Sequence, residues 1–532
     1  MTVKPAILQR FAHLHAWVGL VAGFALFVAF YAGAITVFHQ PLQQWADPHP
    51  SGATTLDDAQ RLLDTVLARH DEARQHVGMT FPGYELAQPT AYWQAGDGSW
   101  QFATPGAVDG STQHPGASLP ELVNSLHYTL GIPVAGTWLM GLVSLLYGVA
   151  LVSGVVIHLP RLAKDLFALR PGQPRKRFWQ DAHNVVGVLG LPFHAMVAVT
   201  GAMLCLLFGA MLALNPLVYD GKLMAASVAA MDTAPTVDQA GVPAPMASLA
   251  QWRSRAIAAA RAHGLDAFEP SYLKLANAGD AHAVVEITGR SPRALGSGAV
   301  ALDASSGAVL AVQLPGARDA NHATLAAAYA LHFGDYGNRA IPWLYLLLGL
   351  TGAFVFYSGN LLWVASRRRG QREDRAAQAM ARATVGVCLG VCVAISAAAV
   401  AAQCLPWLGL DAARGERWAC FLTWALCALW ASWRAPARAT RELLWLAAIV
   451  TALAPMARSL AVGDWPWHDA PAPLAINLGA LALAAGFAAL AHAGTRHARR
   501  HTPRDAWASL AGPKEHGSIA TEVAPTTTAT DL

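Results

Sequence analysis

Apolar runs of the kind a helix needs to cross a bilayer, about 20 residues each, recur eight times along this chain and decide its fold class before anything else. They fall near 11–38, 138–159, 184–214, 343–364, 384–404, 418–433, 443–462 and 474–491. The chain is 54% hydrophobic and only 13% charged, against about 25% charged in an ordinary soluble domain. A fully soluble enzyme is excluded, and the sequence reads as a polytopic membrane protein, mainly α. The balance of 37 Lys+Arg against 33 Asp+Glu gives a net charge of +4, too small for a nucleic-acid partner. The basic residues cluster beside the apolar runs, where their sign reports orientation in the lipid bilayer. The six cysteines (Cys205, Cys388, Cys392, Cys404, Cys420, Cys427) all lie in apolar runs and none forms a Cys-x-x-Cys-His. Neither disulfides nor covalently attached haem are expected.

The predicted order alternates membrane and soluble parts. A transmembrane helix over 1–44 leads to a soluble domain over 45–137, a helix over 138–160 and a basic loop over 161–182. A helix over 183–215, a second soluble domain over 216–337 and a helix over 338–366 follow. A four-helix membrane region over 384–493 and a disordered tail over 502–532 complete the chain. The first run is too long for a signal-peptide core of about 7–15 residues, so it reads as a retained helix. Both soluble stretches carry hairpin signals: Ala91–Gln94 and Trp100–Phe102 around Gly96-Asp97-Gly98, then Ala299–Leu302 and Ala308–Val312 around Asp303 to Gly307. Basic residues at 161–177, 367–375, 434–441 and 496–500 place both termini in the cytoplasm and the soluble domains outside. The expected fold is thus about eight transmembrane helices, with two small α+β domains between helices 1 and 2 and between helices 3 and 4.

An internal repeat ties four histidines together. Leu14-His15-Ala16-Trp17-Val18-Gly19 matches Ala182-His183-Asn184-Val185-Val186-Gly187, and Gly33-Ala34 stands 18 residues after His15 as Gly201-Ala202 stands 18 after His183. Leu126-His127 stands 27 residues before Gly154 in Ser153-Gly154, as Leu331-His332 stands 27 before Gly359 in Ser358-Gly359. A parallel duplicated unit is commonly arranged about an axis along the membrane normal, which puts equivalent residues at equal depth. His15 and His183 then pair near the cytoplasmic face, and His127 and His332 at the outer face. Neutral imidazoles facing each other across a bundle suit bis-histidine haem ligation, and two such pairs make a wire.

Each histidine also has a plainer reading, since one at a helix entry is often merely interfacial. His194 lies 11 residues after His183, with Leu26 in its place in the first repeat. On a continuous helix that is about three turns on the same face, about 16 Å deeper. A buried intramembrane histidine points to function, and His194 is a further candidate haem ligand. His13 points away from His15, while His39 and His158 read as interfacial. His468, in Trp465-Pro466-Trp467-His468-Asp469, reads as a solvated loop residue that could touch a substrate or quinone.

The Leu14-His15-x-Trp17-x-Gly19-Leu20 opening resembles the PepSY-associated transmembrane helix family. So do Asp181-x-His183-Asn184-x-x-Gly187 and Leu331-His332-Phe333-Gly334-Asp335-Tyr336-Gly337. The family includes iron-regulated bacterial inner-membrane proteins and ferric-siderophore reductases. The resemblance covers about residues 8–366. It implies a four-helix core with two periplasmic PepSY-like domains, one or two b-type haems, and electron delivery to a ferric-siderophore or similar Fe(III) chelate. After Arg375 there is no Gly-x-Gly-x-x-Gly opening a βαβ unit, so no flavin or NAD module is expected. The donor is then membrane quinol or a separate cytoplasmic reductase. The competing expectations are a PepSY-type binding or regulatory protein without redox activity, and a permease for iron chelate or haem.

Overall fold

The computed structural model describes residues 4–47, 54–84, 86–161, 175–223, 227, 231–367 and 375–500. Most of the basic loop, the arginines 368–372 and the tail 502–532 lie outside the described residues. In a bilayer the backbone must satisfy its own hydrogen bonds, which favours unbroken helices. Helix α1 (Pro5–Thr36) opens on a proline, whose missing N–H costs nothing in a first turn. The short α2 (His39–Ala46) turns the chain into the first insertion.

That insertion runs α3 (Leu56–Arg69), α4 (Asp71–Gln75), β1 (His76–Thr80), β2 (Ala91–Gln94), β3 (Trp100–Thr104), β4 (Ala107–Ser111) and α5 (Ser118–Thr129). Helix α6 (Ala135–His158) returns through the membrane, and α7 (Arg175–Leu189) and α8 (Leu191–Val218) begin the second unit. Its insertion carries α9 (Leu249–Ala262), β5 (Glu269–Ala276), β6 (Val284–Arg290), β7 (Gly298–Asp303), β8 (Val309–Gln313) and α10 (Ala320–Phe333), before α11 (Ile341–Ser366). The C-terminal region begins with α12 (Arg375–Thr384), which passes through a π-turn at Val385–Leu389 into α13 (Gly390–Cys404). Helices α14 (Ala412–Trp433), α15 (Pro436–Val462) and α16 (Pro471–Arg500) follow.

Seven helices among the described residues are long and apolar enough to cross a membrane: α1, α6, α8, α11, the continuous α12–α13, α15 and α16. The count differs from the expected eight at α14. Its 22 residues are long enough, at about 33 Å, but Arg414, Glu416, Arg417 and four tryptophans dilute its apolar character. The spanning helices expose Leu142, Val152, Val199 and Leu347 on faces that no protein covers, as a lipid-facing surface requires. The protein is a multi-pass membrane protein.

Two expectations need correction. The insertions read from the sequence as two domains, yet their strands form one antiparallel sheet in the order β4-β3-β2-β1-β5-β6-β7-β8. The seam is β1 against β5, with Val77 opposite Leu275, Gly78 opposite Lys274 and Met79 opposite Leu273. Pairing there removes two open edges, each a row of unpaired backbone donors and acceptors. One core then serves both halves: Leu62, Leu63 and Val66 of α3 and Trp252 of α9 meet Met79, Trp93, Leu273, Ile287 and Leu302 of the sheet. Capping boxes, Thr55 with Asp58 and Ser248 with Gln251, start the two covering helices.

The second correction concerns the third transmembrane helix, expected as one piece over 183–215. It breaks at Gly190, between α7 and α8. Pro192 stands at the start of α8 and has no N–H to continue the α7 hydrogen-bond ladder, and glycine is a weak helix former, so the break follows from both. His183 and His194 therefore sit on different helices, and the same-face argument that linked them does not apply.

Candidate histidine site in the repeated helix bundle

Helices α1, α6, α8 and α11 approach closely because small residues line their contacts. A Cβ on Gly349 would lie 2.8 Å from the Cβ of Ala34, and one on Gly141 would lie 2.3 Å from Leu206. This close packing carries the repeated histidines to one another. The rings of His15 and His183 have centroids 6.4 Å apart at 82°. Those of His127 and His332 lie 5.9 Å apart at 39°. Along α1 the two pairs are about 21 Å apart, measured from His15 to Ala29, the residue that holds His127.

The hydrogen bonds fix which nitrogen of each ring is free. His15 donates from Nδ1 to the Ala150 carbonyl at 2.9 Å, with Ser153 Oγ at 3.3 Å. His183 Nδ1 meets Ser358 Oγ at 3.0 Å. Both serine hydroxyls donate to their own helix, to Ala150 O and Val355 O, so each presents a lone pair to the imidazole. On the sheet side, His127 Nδ1 donates to Ala29 O at 2.8 Å. His332 Nδ1 meets Thr200 Oγ1 at 2.8 Å, while that hydroxyl donates to Met196 O. In all four rings the proton is thereby placed on Nδ1, which leaves the Nε2 lone pair available; the partner of one nitrogen sets the role of the other. Desolvation, with His127 as neighbour, pushes His332 down to about 3, and desolvation lowers His127 as well. Both are neutral at physiological pH.

The repeated glycines make room for these rings. A Cβ on Gly154 would lie 3.2 Å from His15 Cε1, and one on Gly359 would lie 3.4 Å from His183 Cε1. A Cβ on Gly33 would lie 2.7 Å from His127 Nδ1, and one on Gly201 would lie 3.5 Å from His332 Cε1. The dipeptides Ser153-Gly154 and Ser358-Gly359 stand out in the sequence as repeated, but their use, serine to orient a ring and glycine to admit it, is visible only in three dimensions. Thr200 has no counterpart in the first repeat and gave no sequence signal.

The donor set suits one group in particular. Two imidazole nitrogens on opposite sides of a metal ion, at about 2.0–2.1 Å each and with ring centres about 1.1 Å further out, put the centroids about 6.3 Å apart. The observed 6.4 and 5.9 Å are close to that value, which also falls within the ordinary range of ring contacts. Among the described residues no three His, Cys, Asp or Glu side chains gather as a metal site. A protein-bound zinc takes three or four such ligands. An ion held by two axial imidazoles needs its other donors from a macrocycle, which is what haem brings.

His194 stands apart from both pairs. It is 2% exposed, and neither ring nitrogen has a hydrogen-bond partner among the described residues. Phe30, Tyr147 and Phe193 surround it with ring centroids 5.7, 6.2 and 6.0 Å away. The repeat is broken here. Leu26 replaces His194 in the first half, and Tyr147 stands where the second half has Gly352, so the mid-bundle is asymmetric while the four paired histidines are not. Three other histidines singled out in the sequence lie away from the pairs. His13 is exposed, His39 lies 3.5 Å from Glu121, and His468 pairs with Asp464 at 2.9 Å in a loop.

Comparison with known proteins agrees with this architecture. The family model for the PepSY-associated TM region matches residues 12–366. An uncharacterized protein of Pseudomonas aeruginosa is similar, 29% identical over 357 residues that cover 65% of this chain and 81% of that protein.

Proposed function

Since the chain belongs to the PepSY-associated transmembrane family, we propose that it is a haem b electron-transfer protein that reduces a periplasmic Fe(III) complex, of ferric-siderophore type, for iron acquisition. One observation carries this reading: two symmetry-related histidine pairs, each with Nδ1 tied down and ring centroids at bis-imidazole spacing. His15 and His183 would hold one group and His127 and His332 the other. Haem, when bound, supplies one-electron redox chemistry at a potential set by its axial ligands and their hydrogen bonds.

The chain's own residues do the positioning. Ser358 and Thr200, with the carbonyls of Ala150 and Ala29, hold the four rings in one tautomer. The apolar faces of α1, α6, α8 and α11 keep water from the region between the pairs, and the fused sheet forms the outer surface where an acceptor meets the sheet-side pair. The Fe(III) substrate gains one electron and becomes Fe(II), which hard oxygen ligands hold less tightly, so the metal is released. The electron comes from membrane quinol or from a separate cytoplasmic reductase. The basic residues that flank the spans support a bacterial inner-membrane location with cytoplasmic termini and a periplasmic sheet.

The test is an oxidised and dithionite-reduced absorption spectrum of the detergent-purified protein with a pyridine haemochrome count, on wild type, His183→Ala and His332→Ala. A Soret band with sharp reduced α and β bands, partly lost in each variant, is expected. A colourless protein from haem-replete cells overturns the reading and leaves a binding or transport role.

A further inference from the structure

The two halves of the repeat treat their sheet-side histidine helices differently. In the second half α10, which carries His332, caps itself: the Asp319 carboxylate accepts from the N–H groups of Asn321 and His322. In the first half α5, which carries His127, begins after Ala117, whose side chain can cap nothing. Its first residue is held instead from 298 positions away, where Ser118 Oγ donates to Glu416 Oε2 of α14 at 2.6 Å. Glu416 is 2% exposed. A buried carboxyl is costly to leave without a partner, so the contact is a defined one.

Helix α14 also reaches the other end of α5. Gly131, one residue past the left-handed turn at Leu130 that ends α5, lies so close to Phe421 that a Cβ there would come within 2.6 Å of the ring. Between these ends Leu119, Leu122, Val123 and Leu126 of α5 share a core with Val391, Ala394 and Ala398 of α13. A face of α5 about 90° round the helix delivers His127 Nδ1 to Ala29 O of α1. Helix α5 is thus clamped between the bundle and the C-terminal region. The hinge into the first insertion is gripped by the same region, with Gln403 Nε2 donating to Trp45 O and Trp45 Nε1 donating to Asn477 Oδ1. Among the described residues no hydrogen bond joins α10 to these helices.

We infer that the C-terminal helices act as a positioning arm for the sheet-side histidine pair, with Glu416 as the positioning residue that sets α5 and through it the His127 ring. This rests on the haem reading for its consequence and on the α5 contacts alone for its geometry. Among the described residues Glu416 has no hydrogen bond to the far pair, His15 with His183, whose partners are Ala150, Ser153 and Ser358. The two sites thereby become unequal, although the repeat supplies the same four histidines to both.

The experiment uses the full-length protein in detergent, as wild type, Glu416→Ala, Glu416→Gln, Ser118→Ala and Asp319→Ala. Backbone hydrogen exchange of residues 118–130 and 320–333 needs no haem, and a redox titration with reduced spectra reports on the two pairs. Loss of the hydrogen bond that satisfies a buried carboxyl predicts about tenfold faster exchange in α5 for Glu416→Ala and Ser118→Ala. Helix α10 should be unchanged in these variants, and Asp319→Ala should show the reverse. Only one of the two spectral components should shift in Glu416→Ala. Glu416→Gln, whose amide oxygen still accepts from Ser118, should restore both readouts.

Unchanged α5 exchange, or equal rises in α5 and α10, overturns the inference. So does an α5 change that leaves both spectral components where they were, which would reduce Glu416 to a structural contact. A wild type without haem overturns the electron-transfer reading and, with it, the tuning of a redox site; α5-selective exchange would then show that Glu416 holds α5 and nothing more.

Discussion

Gly33 and Gly201 occupy the same place in the repeat, and alanine is expected to have opposite effects at the two. At Gly33 a Cβ would stand 2.7 Å from His127 Nδ1 and 2.8 Å from its Cε1, where a carbon contact needs about 3.5 Å. The ring must retreat by about 0.8 Å, which stretches its 2.8 Å bond to Ala29 O beyond hydrogen-bond range. The unmet buried donor costs about 1–3 kcal/mol and the overpacking about 1–3 kcal/mol. The better helix propensity of alanine returns about 0.5–1 kcal/mol, so Gly33→Ala should destabilise by about 3 kcal/mol. At Gly201 the nearest atoms to a Cβ are Ser144 Oγ at 3.4 Å and His332 Cε1 at 3.5 Å, ordinary contacts. Gly201→Ala should be neutral or stabilise by up to about 1 kcal/mol through propensity alone. Thermal unfolding of the two variants in detergent, with a haem count on each, makes the comparison. Equal losses in both, or none in Gly33→Ala, would refute the idea that glycine at 33 exists to admit the His127 ring.

Three further outcomes are expected. Ser358→Ala should weaken metal binding at the far pair by about 10-fold, the lower end of the usual cost of losing an orienting partner, because His183 keeps the Val355 carbonyl; Ser153→Ala should do less, because the Ala150 carbonyl at 2.9 Å is the closer partner of His15. Haem retention on dilution separates the two. Arg458 is buried and paired with Asp469 at 3.1 Å, so Arg458→Met should destabilise by about 3–5 kcal/mol, and an added Asp469→Leu should recover much of that; thermal midpoints of the single and double variants test it. Asp319 is held at about 2, below its ordinary 3.8, by the backbone N–H it accepts from His322. A depressed carboxyl contributes stability that is complete above about pH 4 and is lost as pH falls through about 2. Hydrogen exchange of α10 should therefore rise across that window in wild type, and Asp319→Asn should remove the pH dependence.

What could be read from the chain alone is what repeats or alternates locally. Apolar runs of spanning length, hairpin signals such as Gly96-Asp97-Gly98, and the 18- and 27-residue spacings of His15, His183, His127 and His332 are written within short windows. The bundle places those four residues as two pairs, an arrangement that follows once the repeat is taken as a symmetry operation. The break at Gly190 was legible in principle from Gly190 and Pro192, but the continuous apolar character of the run hid it. The seam between β1 and β5, the lone pairs that Ser358 and Thr200 offer to their histidines, and the grip of Glu416 on Ser118 belong to the tertiary structure alone. Each joins residues more than a hundred positions apart, and each depends on a hydrogen bond whose partner is chosen by packing. Hydropathy decides which segments leave water; it carries no record of which of them will meet.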